Sequence, residues 1–327
     1  TVDYAGSDDA SSGAKNPAKY LLVDRTKLLQ PNFTHRENDY DDYERQVLLP
    51  YSYSRLGPYV SVGDMNGDGM DDFYVGGASG QPGAVYLQNS TGSFLKTEQT
   101  LLEKDAGHED MKSALFDYDN DGDLDLYVSS GGYEFEVGTE ALQDRLYMND
   151  GSGVFISKAE LPDLKTSNSL VLPHDYDGDG DIDLFVGGRI LPGAYPFEPK
   201  SYLLENRDGA YTDVIHSVVP DLEYIGMITD GEWVDIDGDE KEELVVVGEW
   251  MSINIFQVNS DKLVSVTSDY NLETQKGWWQ SVKVINKNDG FDIVAGNIGR
   301  NIKHKASDEK PFHVYASDFD KNNSVDI

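Results

Sequence analysis

Short apolar segments alternate with polar, acidic segments along the whole chain. The apolar runs are rich in Val, Tyr and Phe, most close on small residues, and follow one another at 73–77, 126–128, 184–188 and 244–248. β-branched and aromatic residues bounded by Gly favour short strands. No segment carries apolar residues at i, i+3 and i+4 over three turns, so helices are expected to be few. The pattern predicts an all-β protein.

The polar segments contain a repeat of nine residues. Copies that align without gaps start at residues 64, 117, 175 and 235, so 53, 58 and 60 residues separate them. A fifth copy covers 318–326, and 286–292 resembles a shortened copy. A strand-like run stands before and after each full copy, and a hairpin signature with Asn and Gly follows the first three. Four short strands per repeat is the size of a propeller blade, so the sequence predicts a β-propeller.

Positions 1, 3, 5 and 9 of each copy carry acidic side chains except Asn66 and Asn322, and these carboxylates would repel one another if left bare. Hard oxygen ligands without His or Cys select Ca²⁺, and position 7 would add its backbone carbonyl. We expect four calcium ions, with a fifth in the last copy. The predicted ligands are Asp64, Asn66, Asp68, Met70 and Asp72; Asp117, Asp119, Asp121, Asp123 and Asp125; Asp175, Asp177, Asp179, Asp181 and Asp183; Asp235, Asp237, Asp239, Lys241 and Glu243; and Asp318, Asp320, Asn322, Ser324 and Asp326.

These loops have two other interpretations. An EF-hand needs a bidentate Glu at position 12 within a helix, whereas position 12 here is occupied by Val75, Val128, Val186 and Val246. Plain solvated turns are the second alternative, since Asp, Asn and Gly favour turns; four copies in register with the same flanks argue against it. Gly at position 6 suits a sharp reversal, and Glu240 replaces it in the fourth copy, where the turn geometry is less secure.

The composition argues against several classes of function and of site. The 327 residues carry 60 acidic and 26 basic side chains, a formal net charge of −34, which argues against binding a phosphate backbone. The lack of cysteine excludes disulfides and thiolate metal sites. No apolar run approaches the roughly 20 residues of a membrane span. Residues 1–32 are expected to be a flexible leader or linker, and 33–327 the propeller.

No catalytic residues are predicted, because the sequence carries no HExxH, GxSxG or phosphate-binding glycine motif beside the acidic loops. His174 is expected to contact its loop. Trp233, Trp250 and the pair Trp278–Trp279 could form an aromatic binding face, although packing between blades is the favoured alternative. Arg189 faces either a partner or a neighbouring blade. The insertions at 131–138 and 189–198 are longer than hairpins need, as recognition loops often are.

The loops and their following strands resemble the FG-GAP/VCBS repeat, which is similar to the calcium-binding blades of the integrin α-subunit propeller. Segments 33–35, 48–50, 54–58, 296–301 and 305–307 resemble the large VCBS-repeat surface proteins of Bacteroidetes. This resemblance implies a seven-bladed ring, secretion and a lipid-anchored place on the outer membrane. Seven blades need roughly 385 residues and about 290 follow Phe33, so the chain is expected to hold part of a ring.

These features together predict a secreted or cell-surface, calcium-binding propeller that is not an enzyme. It would act as a binding or protein-interaction module with a protein partner at the cell surface, and with a glycan or peptide as the other ligand class. The resemblance suggests an accessory role in a bacterial outer-membrane nutrient-uptake complex. The alternative is a carbohydrate-active enzyme that uses the propeller as a scaffold.

Overall fold

The structure, a computed structural model, describes residues 24–260, 262–287, 290–299, 301–302, 305–307, 309–322 and 325–327. Within these residues the chain is built from short antiparallel strands, which confirms the all-β prediction. The α-helices there are single turns: α1 (Asp42–Arg45), α2 (Thr100–Lys104), α3 (Ile215–Val218) and α4 (Pro220–Glu223). None of the described helices is long and apolar enough to cross a membrane.

The first two sheets are antiparallel and follow the chain order. The first contains β2 (Val60–Gly63), β3 (Asp72–Val75), β4 (Ala84–Gln88) and β5 (Phe94–Lys96), with β1 (Leu29–Gln30) added in parallel to β5. The second contains β6 (Asp110–Phe116), β7 (Asp125–Ser130), β8 (Arg145–Met148) and β9 (Ser157–Ala159). Strand β1 thus joins part of the segment 24–32 to the first sheet, while residues 1–23 lie outside the described part of the chain.

The next two sheets repeat this order. The third contains β10 (Ser167–His174), β11 (Asp183–Ile190), β12 (Tyr202–Arg207) and β13 (Ala210–Asp213). The fourth contains β14 (Met227–Val234), β15 (Glu243–Met251), β16 (Asn254–Asn259) and β17 (Lys262–Ser265). A hairpin of β18 (Gly277–Lys287) and β19 (Gly290–Asn297) follows, and β18 also pairs with β15.

The sheets are arranged as the blades of a propeller. The first strands of successive blades, β2, β6, β10, β14 and β18, lie next to one another, and later strands of each blade lie progressively farther outward. The chain therefore folds as a β-propeller, as its repeat predicts.

Apolar residues fill the spaces between neighbouring blades. On β15, Leu244 and Val246 face the third blade, whereas Val245 and Val247 face β18 and β19. Alternate side chains of one strand thus enter two different cores, because successive residues point to opposite faces of a sheet. A strand buried on both faces needs a continuous apolar run, which explains the Val-rich segments of the sequence.

The last part of the chain forms less regular structure in the described residues. The shortened copy at 286–292 spans the end of β18 and the start of β19, with 288–289 outside the described residues. The last acidic copy is closed by a bridge between Ser317 and Asp326. The seven-bladed ring and the partial ring stay predictions.

Candidate metal centres

The acidic copies occupy equivalent places in successive blades. Each of the first four connects the first strand of its blade to the second, at the same end of the sheets: β2 to β3, β6 to β7, β10 to β11 and β14 to β15. The sequence prediction of hairpin loops between two strands is confirmed for these four. The residue at position 2 is apolar and buried in all four: Met65, Tyr118, Tyr176 and Ile236.

The carboxylate at position 1 folds each loop back on itself. In the second loop, Asp117 Oδ1 accepts the backbone N–H of Asp121 at 3.1 Å, and its Oδ2 accepts that of Gly122 at 3.0 Å. Asp64 and Asp175 accept the corresponding N–H groups of their own loops. These bonds draw the side chains of the loop toward one centre.

Two left-handed residues produce the reversal. Positions 4 and 6 both have positive φ in the first four loops, at 71° and 82° for Gly67 and Gly69 and at 60° and 94° for Asn120 and Gly122. In the fourth loop Glu240 keeps a φ of 69°, so the turn survives the loss of glycine. Glu240 at position 6 was expected to disturb this loop. It keeps the turn, but its side chain stands on a backbone conformation that favours glycine.

The carboxylate at position 9 links the loop to the rest of its blade. Asp125 is 1% exposed; its Oδ2 accepts the N–H of Tyr118 at 3.1 Å and its Oδ1 accepts the N–H of Asn149, on the far side of β8, at 2.8 Å. Asp72 and Asp183 make the same two kinds of bond. Glu243 binds Ile236 N–H and the Gln257 side chain. This structural role was not predicted, because the residue it reaches lies far along the chain.

Acidic oxygens converge in these loops. Within the described residues, four groups bring one oxygen from each of three aspartates within 4.8 Å of one another: Asp117, Asp119 and Asp125; Asp175, Asp177 and Asp183; Asp235, Asp237 and Asp239; and Asp318, Asp320 and Asp326. Each group could hold a metal ion. The third member of the group is the position-9 residue in the second and third loops, but it is the position-5 residue Asp239 in the fourth loop.

The remaining predicted ligands include the first-loop residues, the position-7 residues and Ser324. In the first loop, Asn66 Oδ1 and Asp64 Oδ1 both accept the N–H of Asp68, each at 3.1 Å, so its hydrogen bonds follow the pattern of the others. The position-7 residues Met70, Asp123, Asp181 and Lys241 donate their N–H to the position-5 carboxylate; their role as carbonyl ligands stays a prediction. Ser324 lies outside the described residues.

Burial and crowding make the charged loops costly without a cation. Burial, with smaller effects of Asp119 and Asp123, raises the pKa of Asp125 to about 6 against the N–H groups that lower it. Burial likewise raises the pKa of Asp183 to about 7, with Asp177 and Asp179 adding to the effect. A bound cation would favour the ionised form of these carboxylates.

The structure places the other sequence candidates inside the fold. Arg189 is 3% exposed and pairs with Glu249 of the fourth blade, so it faces a neighbouring blade. Trp233 stacks on His174 with ring centroids 4.5 Å apart, and Trp278 packs edge-on against Trp250 at 5.0 Å. For these residues the packing alternative holds. His174 also approaches Glu242 in the fourth loop at 3.3 Å.

One comparison with known proteins identifies the repeat. A sequence model of the FG-GAP-like repeat matches residues 64–128, which hold the first two acidic loops. No curated protein was matched. Among solved structures, the Dos1 propeller is similar over 65% of this chain and 60% of its own, with 10% identity and a TM-score of 0.37. BBS1N, in its complex with ARL6DN soaked with lead, is similar over 73% and 75%, with 11% identity and a TM-score of 0.34.

Proposed function

We propose that this protein is a calcium-binding propeller that acts as a non-catalytic binding module outside the cell. The observation that carries the proposal is the recurrence of one acidic loop with the same hydrogen bonds in successive blades. In the second loop, Asp117, Asp119 and Asp125 bring their oxygens within 4.8 Å. Such a group fits a hard divalent cation bound at about 2.3–2.6 Å.

The donor set favours calcium over other metals. The candidate ligands are carboxylates, the Asn66 and Asn322 amides and backbone carbonyls, and no sulfur or imidazole is among them. Soft or borderline metals prefer thiolate and imidazole ligands, while Mg²⁺ demands near-ideal octahedral geometry. An irregular loop with several carboxylates suits the flexible coordination of Ca²⁺.

The ions would stabilise the fold instead of taking part in chemistry. Each would hold together the turn between two strands, and the position-9 carboxylate already extends that turn to a third strand, as Asp125 does with Asn149. The longer connections 131–138 and 189–198, at the ends of β7 and β11, would then offer a rigid surface for a partner.

We infer that the partner is a protein at the cell surface, with a glycan or peptide as the other ligand class. A bacterial outer-membrane surface, reached by secretion and held by a lipid anchor, is the setting that the VCBS resemblance supports. An accessory role in a nutrient-uptake complex fits that setting. The net charge of −34 agrees with a partner other than nucleic acid.

Two assays test this function. Cross-linking on intact outer membranes, followed by capture, should recover the same protein partner in calcium and lose it in excess chelator. A panel of glycans incubated with the protein should stay uncleaved with or without calcium. Turnover that disappears when an Asp or Glu outside the acidic loops is changed to Asn or Gln would overturn the non-catalytic role.

A further inference from the structure

A second group of acidic residues lies at the opposite end of the blades from the repeat loops. Glu109 directly precedes β6 and Glu134 follows β7, whereas the acidic loop of that blade joins the other ends of the same two strands. Asp110 and Ser130 are paired in the ladder, which brings the two flanking segments together. Glu37 and Asn38, from the segment before the first blade, complete the group.

Hydrogen bonds hold these side chains in place but leave several of them incomplete. Glu109 is 1% exposed, and its Oε2 accepts the N–H of Ser79 at 2.7 Å. Asn38 Nδ2 donates to Glu134 Oε1 at 3.0 Å, and the Tyr133 N–H donates to Oε2 at 2.9 Å. The residues are therefore positioned by two blades and by the N-terminal segment at once.

Unpartnered polar atoms are concentrated at this place. Of nine buried side-chain N and O atoms that lack a hydrogen-bond partner in the described residues, four belong to the group: Glu109 Oε1, Glu37 Oε2, Asn38 Oδ1 and His35 Nδ1. His35 is tied to Glu37 by its other nitrogen, with Nε2 2.8 Å from Glu37 Oε1. A buried polar atom without a hydrogen-bond partner is unfavourable, so four together indicate a missing binding partner.

A cation would satisfy these carboxylate and amide oxygens. Arg145 and Arg45 do not pair with these glutamates, since Arg145 binds Asp110 and Arg45 binds Glu136. Burial, with contributions from Glu134 and Glu37, raises the pKa of Glu109 to about 9. Burial also raises the pKa of Glu134. Burial therefore favours the neutral form of these glutamates, and a bound cation would shift them toward the ionised form.

We propose that Glu37, Asn38, Glu109 and Glu134 bind a divalent metal cation through their side-chain oxygens, with His35 beside it. Carboxylate and amide oxygens are ligands of hard cations. In the described residues these glutamates are not among the groups of acidic oxygens that converge within 4.8 Å. Binding would therefore draw these side-chain oxygens closer together.

A route from solvent leads to this place. A cavity of about 520 Å³ is lined by Glu37, Ser79 and Gln81, among others. Glu37 is one of the proposed ligands, and the Ser79 N–H holds Glu109 in position. The cavity thus adjoins the group at Glu37 and at Ser79, and it would give a hydrated ion access.

The site differs in role from the repeat loops. A loop ion would join strands of one blade, whereas this ion would join the first blade, the second blade and the N-terminal segment. Its removal should loosen the contact of the segment around Glu37 with the two blades and leave each blade intact.

The test is anomalous diffraction from crystals of the full chain soaked in Mn²⁺ alone. We expect a manganese peak among Glu37, Glu109 and Glu134, separate from any peaks in the acidic loops. Glu109→Gln, which keeps the oxygen that Ser79 contacts, should remove this peak. Glu103→Gln on the exposed side of α2 should keep it, and Asp117→Asn in a repeat loop should also keep it.

Equilibrium dialysis with Mn²⁺ provides the matching measurement in solution. Glu109→Gln and the less buried Glu37→Gln should each weaken one site at least tenfold and leave the others unchanged. Water or a protein side chain in place of the peak, with unchanged manganese stoichiometry in both variants, would overturn the proposal. That result would leave the calcium proposal for the repeat loops untouched, because Asp117→Asn reports on those loops separately.

Discussion

The carboxylate of Asp125 accepts the backbone N–H of Asn149 at 2.8 Å, and so ties the end of an acidic loop to the residue after β8, a strand that the loop does not adjoin in sequence. The other oxygen of Asp125 accepts the N–H of Tyr118 inside the loop. One buried side chain therefore connects the candidate metal centre to the hydrogen bonds of the sheet. Ion binding and blade stability should be coupled through it.

Replacing Asp125 with Ala should destabilise the protein even without metal. The change leaves the N–H groups of Tyr118 and Asn149 buried without acceptors, at about 1–3 kcal/mol each. Urea denaturation in excess chelator measures the effect. Asp121→Ala, in the exposed part of the same loop, is the control and should change the metal-free stability by less than about 0.5 kcal/mol. Equal effects of the two changes would contradict the structural role of Asp125.

Replacing Glu240 with Gly should stabilise the fourth loop. A residue with a side chain at its φ of 69° destabilises the fold by about 1–2 kcal/mol, and glycine removes that strain. Glycine also makes the unfolded chain more flexible, which lowers the stability by about 0.4–1 kcal/mol. A net gain of about 0.5 kcal/mol in the free energy of unfolding is expected. Gly238→Ala, at φ 80° in the same loop, is the opposite test and should destabilise. A loss of stability in Glu240→Gly would show that its side chain contributes more than its backbone costs.

Breaking the buried ion pair between Arg189 and Glu249 should strongly destabilise the protein. Both residues are buried, at 3% and 0% exposure of their side chains, and the change Arg189→Met leaves the Glu249 charge without its cation. Tyr53 donates to Glu249 at 2.7 Å but cannot replace that charge. A loss of about 3–5 kcal/mol is expected from urea denaturation.

The exposed pair of Lys287 and Asp292 gives the matched control for that experiment. Its side chains are 48% and 52% exposed, so Lys287→Met should cost less than about 1 kcal/mol. Similar losses in the two variants would mean that burial of the Arg189 pair has no energetic consequence.

Asp144 should make stability depend on pH near neutrality. Burial raises its pKa to about 7, partly opposed by the hydrogen bonds from Ser130, Tyr127 and Asn168. The unfolded value is about 4, so its contribution is complete below pH 4 and is lost as the pH rises through 7. Between pH 6 and 8 the protein should lose about 1.4 kcal/mol that Asp144→Asn does not lose.

That comparison is made by urea denaturation in saturating calcium, where the loop carboxylates stay ionised. Asp163→Asn, at an exposed position, should keep the slope of the unmodified protein. Parallel pH profiles for Asp144→Asn and the unmodified protein would contradict the assignment.

The sequence predicts the parts of this fold that depend on local pattern. The Val-rich run 244–248 marks a strand buried on both faces, and the spacing of the acidic copies marks the blades. Contacts between residues that are far apart in the chain could not be predicted from the sequence. Arg189 was left open between a partner and a blade because Glu249 stands 60 residues away.

The acidic group at the other end of the blades was missed for the same reason. Glu37, Glu109 and Glu134 come from separate segments that only the pairing of β6 and β7 and the docking of the N-terminal segment bring together. The position-9 link to Asn149 was missed because nothing local signals which strand a buried carboxylate will reach. In the first four copies position 9 is acidic and opens a strand, and that is the signal that could have indicated a second role.

The central claim is that the repeat loops bind calcium, and anomalous scattering from crystals grown in millimolar calcium tests it most directly. We expect a peak bonded to Asp117, Asp119 and Asp125 at about 2.3–2.6 Å, with equivalent peaks in the first, third and fourth loops, and loss of the second-loop peak in Asp117→Asn. Ordered water or vacant density between those three carboxylates at saturating calcium would contradict the account.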